Sequence, residues 1–289
     1  MVGYTDIIYD SSDARLKLYA RDYGGAGMPV LCMHGLTRNS ADFEWIATHL
    51  SGLGYRVIAV DQRGRGKSAW DPEPVYYTPA VYCGDMLKLL GQLGITRSVL
   101  IGTSMGGLMA MIMGVMAPQA VIGMVINDIG PEIDKTGLDR IASYTGKGKP
   151  VATWADAAER AKETNGIAFP DYHDNDWLDF ARRTYAMNAD GQLAPAYDPA
   201  ISNAFATPQP TVAPPDLWGL WDKLEGLPIL SIRGGISDLL SADTVTKMGE
   251  RHAGMTAVTV RNRGHAPMLD ESEAVIAIEA FLIEMEGRR

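Results

Sequence analysis

The sequence predicts an α/β protein: a mostly parallel sheet covered by helices on both faces and interrupted once by a helical insertion. Three observations carry this reading. Short continuous apolar runs alternate with segments of helical spacing at both ends of the chain, as expected of buried strands joined through crossover helices. One run ends in a glycine-bracketed serine and continues directly into a Met- and Ala-rich segment, Val99-Leu100-Ile101-Gly102-Thr103-Ser104-Met105-Gly106-Gly107. From Pro131 to about Lys223 the apolar runs cease and Pro, Gly and Asp punctuate helical stretches.

In chain order, Thr5 to Tyr9 and Arg15 to Arg21 read as an antiparallel entry hairpin, joined by the turn composition Asp10-Ser11-Ser12-Asp13. Val30 to Met33 is a strand of the doubly covered kind, followed by His34-Gly35-Leu36. Asn39 to Leu53 carries a helical spacing at Phe43, Ile46, Ala47 and Leu50, with Asn39 or Ser40 as its cap. Tyr55 to Val60 is the next strand, Thr78 to Leu93 a helix, Ser98 to Ile101 the strand before the serine, and Ala120 to Ile126 another strand ending at Asn127-Asp128-Ile129-Gly130-Pro131. Helical segments are expected near Leu138–Tyr144, Trp154–Glu163, Asp174–Met187 and Leu217–Leu224, with a proline-rich loop over Pro208–Pro215. Alternation resumes with Pro228–Arg233 (strand), Ala242–His252 (helix), Thr256–Val260 (strand) and Ser272–Met285 (helix). This divides the chain into a core domain, 1–130 and 225–289, and an inserted helical cap, 131–224.

The bulk numbers exclude several classes. At 289 residues and 46% hydrophobic content the chain can bury a sizeable core. A net charge of -9 argues against a nucleic-acid partner and favours a neutral or apolar small-molecule substrate over a polyanion. Cys32 and Cys83 lie in apolar runs and read as small core residues of a protein from a reducing compartment. Neither a basic, apolar leader nor a membrane-length apolar run occurs, so a cytoplasmic monomer or homodimer is expected. The loop Asp61-Gln62-Arg63-Gly64-Arg65-Gly66-Lys67-Ser68 lacks the P-loop spacing, and Pro72 and Pro74 prevent a helix from starting behind it, which argues against a phosphate site.

The chemistry centres on Ser104. A serine at the apex of a sharp strand-to-helix turn needs small neighbours, and Gly102 and Gly106 supply them. Its hydroxyl becomes a nucleophile only when a base takes the proton, which requires a histidine held by an acid. Of the five histidines, His265 in Asn262-Arg263-Gly264-His265-Ala266-Pro267 follows the last strand and can reach across the strand ends. The acid is read as Asp238, which follows the strand at Pro228–Arg233, with Asp128 at the end of the preceding strand as the competing carboxylate. The backbone amides of Leu36 and Met105 are the candidate oxyanion donors.

His34-Gly35-Leu36, the Asp61–Ser68 loop, Gly102-Thr103-Ser104-Met105-Gly106, Asp238 and Gly264-His265, in this order, resemble the α/β-hydrolase family. The resemblance implies an eight-stranded, mostly parallel sheet with a helical cap between its sixth and seventh strands. It also implies Ser104 as nucleophile, His265 as general base and then acid, Asp238 as orienter, the Leu36 and Met105 amides as oxyanion hole, and a structural rather than phosphate-binding role for the Asp61–Ser68 loop. Dehalogenase and epoxide-hydrolase relatives place an aspartate at the elbow, so Ser104 points to acyl chemistry. The expected activity is hydrolysis of a small, largely apolar carboxylic ester through an acyl-enzyme, with no metal or organic cofactor. Lactonase, carbon–carbon bond hydrolase and perhydrolase activities remain alternatives, as does a non-catalytic small-molecule receptor. Tyr144, Trp154, Trp177, Tyr185, Trp218 and Trp221 are read chiefly as cap core, and Met33, Met105 and Met109 as either acyl pocket or plain core.

Overall fold

The computed structural model describes residues 3–203 and 216–288. Eight strands form one sheet: β1 (Thr5–Asp10), β2 (Lys17–Asp22), β3 (Pro29–Met33), β4 (Arg56–Asp61), β5 (Ser98–Thr103), β6 (Val121–Asn127), β9 (Ile229–Gly234) and β10 (Met255–Val260). Their spatial order is β1-β2-β4-β3-β5-β6-β9-β10. The entry pair β1/β2 and the junction β2/β4 are antiparallel; every later pair is parallel. The central strands β3, β5 and β6 are buried almost residue for residue, which explains why they read as continuous rather than alternating apolar runs.

Helices cover both faces. On one side α2 (Pro79–Gln92) and α3 (Met105–Met116) pack against the sheet, adding Met86, Leu89, Met109 and Met113 to Leu31, Leu100 and Met124. On the other, α1 (Glu44–Gly52) and α9 (Ser272–Gly287) bury Ile46, Leu50, Ile278 and Leu282 against Val57, Val99 and Val125. Asn39 caps the short 3-10 turn that leads into α1, accepting a hydrogen bond from the Ala41 amide.

The segment between β6 and β9 carries α4 (Lys135–Tyr144), α5 (Trp154–Asn165), α6 (Asp174–Thr184), a hairpin of β7 (Tyr185–Met187) and β8 (Leu193–Pro195), and α7 (Leu217–Asp222). The hairpin corrects the expectation of helix through Met187. The helix ends where Tyr185 turns extended (φ −115°, ψ 150°); Asn188 then shapes the hairpin turn, its side chain accepting from the Asp190 and Gln192 amides, and Gly191 takes a φ of +75° to close it. The proline-rich loop expected at Pro208–Pro215 lies outside the described residues.

This segment docks on the Asp61–Ser68 loop. Gly66 N–H donates to the Ala196 carbonyl and Asp198 N–H to the Gly64 carbonyl, while the Tyr77 hydroxyl donates to Asp198. Arg63 is fully buried and bonded to Asp85, Asp71 and Asp13, and Asp61 accepts from the Ser40 and Lys67 amides. α8 (Ala242–Arg251) follows β9, and the indole N–H of Trp221 donates to the Met248 carbonyl. Among the described residues no helix is long and apolar enough to cross a membrane.

Candidate active site

Ser104 stands between β5 and α3 with φ +53° and ψ −115°, a conformation that residues with a side chain rarely adopt. The elbow exists because two glycines allow it. A Cβ on Gly102 would lie 2.2 Å from the Gly106 carbonyl oxygen, and one on Gly106 would lie 2.0 Å from the Met33 carbonyl oxygen. The turn therefore packs backbone on backbone and holds the Ser104 side chain out at the carboxyl end of the sheet.

His265 meets it there. Its Nε2 lies 2.8 Å from Ser104 Oγ and its Nδ1 2.8 Å from Asp128 Oδ2. A carboxylate only accepts, so Nδ1 carries the proton and Nε2 is free to accept the serine hydroxyl's. Asp128 is fully buried, and its carboxylate is satisfied from further sides: Gly234 N–H donates to Oδ1 at 2.7 Å and Ser237 Oγ donates to Oδ2 at 2.6 Å. The histidine loop is fixed from both directions. Asn127 Nδ2 donates to the Pro267 carbonyl and to Thr103 Oγ1, and Gly264 N–H donates to the Ala168 carbonyl of the inserted segment.

The carboxylate at His265 is thus Asp128, and the placement of Asp238 there is corrected. Asp238 is gripped by Arg140 of α4, whose Nε and Nη2 donate to its two oxygens at 2.6 and 2.8 Å. That guanidinium holds the Asp238 carboxyl below its usual range. Strand order supplies the reason. Asp128 directly follows β6, the neighbour of the serine-bearing β5, and Ser104 N–H donates to the Asn127 carbonyl. Asp238 comes four residues beyond β9, one strand further out.

His34, Gly35 and Leu36 line the approach to Ser104. His34 is fully buried; its Nδ1 donates to the Gly35 carbonyl and its Nε2 accepts from the Gln62 amide. Burial lowers its pKa to about 3, keeping it neutral. The Leu36 amide makes no hydrogen bond among the described residues, whereas its carbonyl accepts from Nε of the buried Arg65 at 2.9 Å. Met105, the first residue of α3, has no helical partner for its N–H. Its sulfur accepts from Arg65 Nη2 at 3.8 Å. Arg65 thus contacts both residues, and no carboxylate pairs with it among the described residues. The sequence reading did not single it out, and the loop's glycine-rich composition hid it.

A cavity of about 70 Å³ opens over Ser104, walled by Leu36, His265 and Met268 from the core and by Ile141, Tyr144, Phe169 and Phe180 from the inserted segment. Met33, Met105 and Met109 do not line it; they are core residues. Trp177 and Trp221 are buried, as expected of packing residues, whereas Tyr144 faces the cavity. Cys32 and Cys83 are free and buried; burial pushes both thiols up, Cys83 to about 12.

A doubly covered, mostly parallel sheet presenting an elbow serine to an imidazole is the architecture of α/β hydrolases. A family model described as the alpha/beta hydrolase family matches residues 30–278, and the chain belongs to that family. It is similar to the 3-hydroxybutyrate-oligomer hydrolase of Cupriavidus necator, 32% identical over 97% of each chain. It is also similar to an esterase of Mycobacterium tuberculosis, 29% identical over 89% of this chain and 83% of that one. Among solved structures, an alpha/beta hydrolase from Novosphingobium aromaticivorans is 42% identical and superposes with a TM-score of 0.91, covering 98% of this chain and 99% of that chain. The chain is a hydrolase of this family.

Proposed function

We propose that the protein is a serine hydrolase that cleaves a small, largely apolar carboxylic ester through an acyl-enzyme, with Ser104 as nucleophile, His265 as base and Asp128 as orienting acid. The observation that carries the reading is the continuous pair of 2.8 Å contacts from Asp128 through His265 to Ser104. As Ser104 Oγ attacks the carbonyl carbon, His265 Nε2 takes the hydroxyl proton, and Asp128 stabilises the imidazolium that forms. The resulting oxyanion accepts hydrogen bonds from the Leu36 and Met105 amides. Collapse of the tetrahedral adduct breaks the bond to the alkoxy oxygen, which receives the proton from Nε2 and departs as the alcohol. Water then gives a proton to His265, attacks the acyl carbon, and releases the acid with Ser104 restored.

In this reading residues 131–224 act as a cap whose Ile141, Phe169 and Phe180 shield the acyl group from solvent. The relative named for 3-hydroxybutyrate oligomers supports ester chemistry, because such oligomers are linked by esters. The test is labelling by a fluorophosphonate together with p-nitrophenyl butyrate turnover. The wild type is expected to label and turn over, and Ser104→Ala to do neither. Ester turnover retained by Ser104→Ala removes the proposal.

A further inference from the structure

The Ser104 cavity is small, and what adjoins it is not. It is the smaller of two adjoining cavities, about 70 Å³ against about 560 Å³. A substrate larger than it has the adjoining cavity to extend into. Thr37, Arg38, Tyr144, Asn165 and Phe180 also wall a second cavity of about 560 Å³, a groove open to solvent and bordered by α4, α5, α6 and the hairpin, in which Lys147 and Lys149 are exposed. Its charged lining is Arg38, Lys147, Lys149, Arg160 and Glu163. Arg38 is bonded to Asp42 through both of its oxygens, and Arg160 to Glu163, which leaves Lys147 and Lys149 as the uncompensated charges. The ammonium of Lys147 rests on the Ala142 and Ser143 carbonyls, whereas Lys149 makes no hydrogen bond or ion pair among the described residues. Two unneutralised cations in one groove run against the net charge of -9 of the whole chain. Pro150, Val151 and Pro195 add apolar wall to the groove.

We infer that this groove is a subsite for the free carboxylate of an ester substrate, so that the preferred substrates are short esters ending in an acid group a few bonds from the cleaved linkage. The inference rests on the ester-hydrolase reading and names the substrate class for that site. It also revises the expectation, drawn from net charge alone, of a neutral substrate. The ester fills the small cavity at Ser104, the aliphatic spacer passes between Tyr144 and Phe180, and the acid end meets Lys149 and Lys147. Cations focused in a concave wall raise local anion concentration, so the preference weakens with salt.

The test compares the linear ester dimer of 3-hydroxybutyrate with its methyl ester, and uses p-nitrophenyl butyrate as a neutral control. For the wild type the free acid is expected to show the lower KM, by about three- to tenfold, with the gap closing as sodium chloride is raised. Lys149→Gln and the double variant Lys147→Gln/Lys149→Gln are expected to raise KM for the acid alone and leave kcat unchanged. Lys149→Glu is expected to raise it further. Equal KM for acid and methyl ester in the wild type, or equal losses on both in the variants, overturns the subsite while p-nitrophenyl butyrate turnover keeps the ester-hydrolase reading. Failure to turn over any of the three overturns both.

Discussion

Arg140 and Asp238 form a fork, the guanidinium of the first inserted helix donating to both carboxylate oxygens at 2.6 and 2.8 Å. The pair ties α4 to the loop after β9. It contributes to holding the inserted segment rather than to proton transfer. Arg140→Met is expected to lower stability by about 1 kcal/mol, the value being held down by partial exposure of the pair. Because the Asp238 carboxyl is depressed below 3.8, the contribution is present above that pH and fades as pH falls through the lower value. Thermal unfolding of wild type and Arg140→Met should therefore differ at pH 7 and converge as the pH is lowered through the depressed Asp238 value.

His34 gives the fold an acid-side weakness. Its Nε2 accepts from the Gln62 amide and has no room for a proton, and burial depresses its pKa from 6.5 to about 3. A depressed folded-state value means the stabilisation is complete above 6.5. It is lost as pH falls toward 3, while the unfolded chain takes up a proton that the folded one refuses. Urea unfolding between pH 6.5 and 4 should show stability falling by about 1.4 kcal/mol per pH unit from this group. His34→Gln should unfold with a slope smaller by one proton.

Arg65 is expected to act as a positioning residue for the two proposed oxyanion donors, because one guanidinium contacts both the Leu36 carbonyl and the Met105 sulfur. Arg65→Lys keeps the charge and loses the fork. A displacement near 1 Å at such a site costs up to about a hundredfold. Steady-state kinetics should show kcat reduced by about ten- to hundredfold with KM little changed; a pure KM effect contradicts this role.

The elbow leaves no space for a methyl group at Gly106, where a Cβ would sit 2.0 Å from the Met33 carbonyl oxygen. Backbone atoms of β3 cannot yield as a side chain would. Gly106→Ala is expected to cost more than about 3 kcal/mol and to give insoluble or unfolded protein. Circular dichroism of a soluble, native-like Gly106→Ala would contradict the account of the turn.

Much of this was legible in the residues. Continuous apolar runs betrayed the buried strands, and Ser104 and His265 announced themselves by glycine spacing and position after a strand. The sequence reading put Asp238 at His265 and was corrected to Asp128, because both carboxylates follow strands and differ only in how those strands order across the sheet. What diverts Asp238 is Arg140, a partner 98 residues away that no local pattern reveals. The hairpin after Thr184 was hidden by a helical spacing that runs on to Met187, whereas the chain turns extended at Tyr185 to pair with Leu193–Pro195. The pocket wall of Phe169 and Phe180 depended on where the inserted segment folds, which composition does not encode.

The assignment of Asp128 is tested most directly by comparing kcat of Asp128→Asn and Asp238→Asn on p-nitrophenyl butyrate, with circular dichroism confirming that both are folded. Asp128→Asn is expected to lose about 10⁴ in kcat, as when an orienting carboxylate is replaced by its amide, and Asp238→Asn to stay within about tenfold of wild type. A near-silent Asp128→Asn beside an inactive Asp238→Asn would contradict the account.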